Sequence, residues 1–191
     1  MFNKNFIVIC ISSTIAAFPP MAVVLLGGII TSQIMMKDSL ATVPMTLMII
    51  GIAISAPIAS RFMSIWGRQK GFLFSSLLSC LALIICSIAI YLENFFIFAL
   101  GNFLIGSSQA FIHQYRFAAS ESVAKVFIPR SISIILLLGI VSALLSSNFA
   151  EYFKDFFPNN LFLGSYIFLS FTAIIPFFVL LFYKETKTSD N

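Results

Sequence analysis

Asn102, Gly106, Gln109, His113 and Arg116 recur at spacings of four, three, four and three residues inside an otherwise apolar run. At about 100° per helical residue they fall within an arc of roughly 80°, so a helix through them carries all five on one stripe. Carboxamides, an imidazole and a guanidinium on one face can bind a polar solute by hydrogen bonds and charge. At membrane depth such groups are expensive, roughly 2.5–3.5 kcal/mol for a central charge, and they turn towards a bundle interior or a watery cavity. On one reading the stripe lines a solute path, with Gln109 and His113 as contacts, Arg116 as a nearby charge and Asn102 further along it. On the other it packs helices together. Gly106, Ser107 and Ser108 would then let a neighbour approach, Asn102 and Gln109 would hydrogen-bond across the interface, and Arg116 would snorkel to the headgroups.

Catalysis is poorly supplied. His113 is the single histidine, and Ser107 and Ser108 lie on the same predicted helix, so a serine nucleophile and its base cannot face each other from different helices. Cys10, Cys80 and Cys86 are odd in number and lie inside apolar runs whose interiors hold no Asp or Glu, which argues against a metal site or a disulfide framework. No phosphate-binding glycine loop is present. The chain reads as no enzyme, with no cofactor and no metal.

The elements that position the stripe follow from composition. Of 191 residues 60% are hydrophobic and only 9% charged, against about 25% charged in a soluble domain, and mean hydropathy is +1.04. A membrane helix needs about 20 mainly apolar residues, and six runs qualify, at about 6–34, 40–63, 71–91, 95–114, 131–149 and 161–183. The expected fold is therefore all-α, a polytopic membrane protein whose six transmembrane helices make one domain over residues 1–191. The first run is too long for a secretory signal. Pro19 and Pro20 near its middle should kink it and free carbonyls that a neighbour must satisfy. The longest connection, 115–130, should include a short interfacial helix, with Pro129 restarting the chain.

Charge sets the orientation. The runs alternate across the membrane, so Lys4, Arg61, Arg68, Lys70, Arg116, Lys125, Arg130, Lys184 and Lys187 share one side and only Lys37 and Lys154 the other. Lysine and arginine collect in short cytoplasmic loops, which places both termini and the loops 64–70 and 115–130 in the cytoplasm, in a membrane expected to be a bacterial inner membrane. The net charge of +4 therefore marks sidedness and not a nucleic-acid patch.

The basic stretch after the second run, Pro57 to Phe72, holds Ser60, Ser64, Ile65, Gly67, Arg68, Gln69 and Lys70. With six spans and cytoplasmic termini, it resembles the N-terminal half of a major facilitator superfamily transporter, whose signature there is Gly-x-x-x-Asp-Arg/Lys-x-Gly-Arg-Arg/Lys. Gly67 and Arg68 match, while Ser60 and Ser64 replace the glycine and the aspartate, and that aspartate belongs to a charge-relay lock in the family. Gly106 matches the fourth-helix signature, with Asn102 where arginine is expected, and Ser146 and Ser147 replace the fifth-helix Gly-Pro. The resemblance implies alternating access by two six-helix halves around a central cavity. It further implies a small solute, a second half from another chain or a second copy, and a cytoplasmic gate formed by Ser60, Ser64, Gly67, Arg68 and Lys70. The competing expectation is a membrane scaffold or assembly partner without transport.

Overall fold

Pro19 and Pro20 have no backbone N–H to donate, and the first apolar run accordingly divides into α1 (Lys4–Ala16) and α2 (Phe18–Met35). The computed structural model describes residues 3–35, 38–158 and 160–183. After a 3-10 turn at Asp38–Leu40 come α3 (Val43–Trp66), α4 (Arg68–Tyr91), α5 (Phe95–Ile112) and the short α6 (Tyr115–Glu121). A second 3-10 turn, Lys125–Phe127, leads to α7 (Ile128–Tyr152), and α8 (Leu163–Leu180) follows. The described residues form an all-helical integral membrane protein with six helical spans long and apolar enough to cross a bilayer. Lys37, and Lys184 and Lys187 with the polar tail 184–191, lie outside the described residues.

The break between α1 and α2 is met from the side. Ser142 Oγ donates to the Thr14 carbonyl and Ser146 Oγ to the Phe18 carbonyl at 2.9 Å, so one face of α7 spans the break. Serine on a membrane helix more often bonds back to its own helix, as Ser147 does to Leu144. Ser142 and Ser146 instead reach backbone oxygens of the helices on either side of the break.

Hydropathy marks the edge of the bilayer and not the end of a helix, and here the structure corrects the expected loop 64–70. α3 continues to Trp66 and α4 begins at Arg68, so Ser60 and Ser64 stand on helix and the reversal is made at Gly67 alone. Gly67 has φ 88°, a backbone region closed to most side chains, and its N–H bonds to the Met63 carbonyl. In the connection 115–130, α6 buries Tyr115, Ala118 and Ala119, and Pro129 stands in the first turn of α7. At the other end of the bundle Asn94 caps α5, its side chain accepting from the N–H groups of Phe96 and Ile97.

α5 is the central element. It meets α3 by backbone contact: a Cβ built on Gly106 would lie 1.9 Å from the Met48 carbonyl oxygen, and one on Gly51 would lie 2.3 Å from the Phe103 carbonyl oxygen. Two helices without side chains at their crossing gain close van der Waals contact, which drives association where no hydrophobic effect operates. α4 lies against both α5 and α8, with Ser75 Oγ donating to Ser108 O and Ser76 Oγ to Ala173 O. One apolar core gathers Val23, Ile30, Leu83, Phe98, Ile105 and Tyr166. A second gathers Phe6, Ile9, Met63, Phe72, Tyr115 and Leu180, and in it the Phe72 and Tyr115 rings stack at 4.0 Å.

The two ends of the bundle carry different charge. Gln69 Nε2 donates to Leu180 O and the Lys4 ammonium lies over the Phe182 ring, which brings the chain start, the α3–α4 turn and the end of α8 to one end. Of the described cations, Lys4, Arg61, Arg68, Lys70, Arg116, Lys125 and Arg130 belong to that basic end, with Glu121 as its described acid. Asp38, Glu93, Glu151, Asp155 and Lys154 belong to the opposite end. Cover is uneven as well. Among the candidate spans only 17% of the one containing α3 and 11% of the one containing α7 is buried, against 50–56% in the other four.

Candidate functional site

The stripe on α5 divides in two when its neighbours are in place. Asn102 is fully buried, its amide nitrogen donating to the Phe98 carbonyl at 2.7 Å, and Gly106 lies in the crossing with α3. Both are packed away from any cavity, Asn102 bonded to its own helix and not across the interface. Gln109, His113 and Arg116, one to three turns further on, leave that crossing and line a cavity of about 220 Å³. The break at Ala17 and Pro20 supplies the second wall and Ile135, Leu136 and Gly139 of α7 the third. The structure thus brings together three of the four residues expected to meet solute and leaves Asn102 outside.

Each polar group in the cavity is held by a local feature of the chain. His113 is the C-cap of α5, where the helix yields to the turn before α6. Arg116 stands in the first turn of α6 and donates from Nε to the His113 carbonyl at 3.1 Å, while its guanidinium carbon is 5.6 Å from the centre of the Phe117 ring. That bond ties the cation to the end of α5. The Gln109 Oε1 atom is buried and has no hydrogen-bond partner. An unsatisfied buried acceptor costs about 1–3 kcal/mol. The remaining wall is apolar, with Pro20 and Met21 opposite Ile135. The cavity can therefore hold a molecule that combines hydrogen-bonding groups with apolar surface.

Gly139 is the least conspicuous member. A Cβ built there meets nothing within 4 Å, so its missing side chain leaves open space in the cavity wall. Sequence reasoning missed it, because an isolated glycine in an apolar run gives no sign of which neighbour it faces.

The expected gate residues lie at the basic end. Ser60 is exposed, and Ser64, also exposed, donates from Oγ to the carbonyl of Arg61. Lys70 is exposed with its ammonium 5.4 Å from the Trp66 ring centre. Arg68 makes a two-pronged ion pair with Glu121, Nε to Oε2 at 2.6 Å and the terminal nitrogen to Oε1 at 2.5 Å. This pair joins the turn at Gly67 to α6, the segment that follows directly from His113. With side chains 23% and 36% exposed, it is partly screened by solvent. A double-mutant cycle with Arg68→Gln and Glu121→Gln, read by thermal unfolding in detergent, is expected to give a coupling of about 0.5–1 kcal/mol that shrinks with added salt.

No protein-family profile matches the chain. It is similar to the riboflavin transporter RfnT of Brucella anthropi, with 26% identity over 185 residues, covering 97% of this chain and 46% of that protein. The chain thus spans about half the length of this curated relative, and the similarity is to a transporter and not to an enzyme.

Proposed function

We propose that the chain is one six-helix half of a membrane transporter of the major facilitator type, moving a planar, amphipathic solute of the riboflavin kind by alternating access. The cavity lined by Gln109, His113 and Arg116 carries the reading. Its volume of about 220 Å³ falls below the roughly 300–1,000 Å³ of pockets that enclose a drug-sized ligand, as one wall of a larger site would. The sparse burial of α7, which lines the cavity, and of α3 supports a second half lying against these helices, supplied by another chain or by a second copy. A flavin suits the lining, since its ring system has an apolar benzenoid edge and a polar edge rich in carbonyls and nitrogen. The seven described cations at one end support cytoplasmic termini and a bacterial inner membrane. Ser60, Ser64, Gly67, Arg68 and Lys70 would form the cytoplasmic gate, with Glu121 holding Arg68 where the family's lock aspartate is replaced by Ser64.

Uptake of radiolabelled riboflavin by cells expressing the protein with its second half tests this. Gln109→Ala and His113→Ala are each expected to lower uptake at least about fivefold at unchanged protein level. A Gln109→Cys variant, in a background with Cys10, Cys80 and Cys86 replaced, is expected to react with a membrane-impermeant thiol reagent. Unchanged uptake in both alanine variants sinks the site assignment, and protection of the introduced thiol favours a scaffold in which this face is buried against another helix.

A further inference from the structure

We infer, resting on the flavin-type reading above, that Gln109 selects the solute by its imide or lactam edge, a ring N–H beside a ring carbonyl. Five buried side-chain polar atoms among the described residues lack a hydrogen-bond partner: Ser12 Oγ, Ser79 Oγ, Asn102 Oδ1, Tyr166 Oη and Gln109 Oε1. Of these residues only Gln109 lines the cavity. Ser13, the hydroxyl residue in the same wall, is already committed to the Cys10 carbonyl, and the Nε of Arg116 to that of His113, while the terminal guanidinium nitrogens of Arg116 and the His113 ring are further polar groups of the wall.

Gln109 Oε1 is thus the buried acceptor of the wall that lacks a donor, and a solute reaches it once the carboxamide turns into the cavity. A carboxamide presents its acceptor and its donor side by side, and this holds whichever way round the amide is turned. Two parallel hydrogen bonds to a ring N–H and its adjacent carbonyl satisfy both, the pairing by which glutamine reads adenine in the DNA major groove. A lone hydroxyl meets one half of that requirement, and a carboxylate meets only the donor. Pro20, Met21 and Ile135 offer apolar surface for the faces of such a ring.

The edge can be blocked without changing the rest of the solute. The purified protein, with the second half that co-purifies, is titrated in lipid nanodiscs with riboflavin and with 3-methylriboflavin, whose ring nitrogen carries a methyl group in place of hydrogen. Binding is read by quenching of flavin fluorescence. The wild type is expected to bind riboflavin at least about tenfold more tightly, because a site built around a hydrogen bond rejects the analogue that cannot make it. Gln109→Leu is expected to bring the two within about twofold. Gln109→Met, closer in shape, carries the same test if the leucine variant does not fold. Riboflavin binding without discrimination in the wild type, or discrimination retained in the folded variants, overturns the role of Gln109 and leaves the flavin reading standing. Failure to bind either flavin overturns both.

Discussion

Replacing Gly106 with valine is expected to unfold the bundle or lower its stability by at least about 3 kcal/mol. Even the first carbon of the new side chain would lie 1.9 Å from the Met48 carbonyl oxygen and 2.9 Å from the Met48 Cα. Those are backbone atoms, which no rotamer change can move aside. Overpacking in cores typically costs about 1–3 kcal/mol because side chains share the strain, and here α3 must shift as a unit. Helix propensity works in the opposite direction, since glycine is about 1 kcal/mol poorer than alanine in a helix interior, but it is outweighed. Gly106→Ala should therefore already destabilise, and Gly51→Ala likewise at the Phe103 carbonyl. Thermal unfolding in detergent micelles checks the series. An alanine at Gly106 that unfolds at the wild-type temperature means that α3 and α5 do not cross at this point.

The same crossing explains how much of the site could be read from the sequence. Periodicity placed Asn102, Gly106, Gln109, His113 and Arg116 on one face of α5, yet it carries no information on what lies opposite each turn of that face. α3 covers the stripe at Gly106, and beyond that level Asn102 bonds back to its own helix, so a continuous polar stripe becomes one packed half and one cavity-lining half. The six spans and the break at Pro19 and Pro20 were legible because each depends on local chemistry, a missing backbone donor or a run of apolar side chains. The helical continuation of α3 to Trp66 was not, since hydropathy falls at the bilayer edge while the i→i−4 ladder does not. Glu121 is 53 residues from Arg68, and nothing in either neighbourhood announces the pair. Ser142 and Ser146 show the same limit from the other side. Their residue type suggested a bond to their own helix, and only the position of α7 against the break turned those hydroxyls outward.

Gly139 separates stability from function, because the two are expected to move in opposite directions there. It sits inside α7, where glycine is the poorest helix former after proline, and its Cβ position faces open space. Gly139→Leu should thus raise stability, by up to about 1 kcal/mol, since its Cβ meets no neighbour. The leucine side chain would at the same time occupy a large part of a cavity of about 220 Å³, opposite Gln109 and His113. Uptake of the proposed solute is then expected to fall at least about tenfold, with Gly139→Ala intermediate. A generally damaging substitution would lower both quantities, and a lipid-facing residue would change neither uptake nor solute binding. Higher unfolding temperature together with lost uptake is the combination that only a residue bordering the solute path produces. Higher unfolding temperature with uptake intact would place the path elsewhere and return Gln109, His113 and Arg116 to the packing alternative.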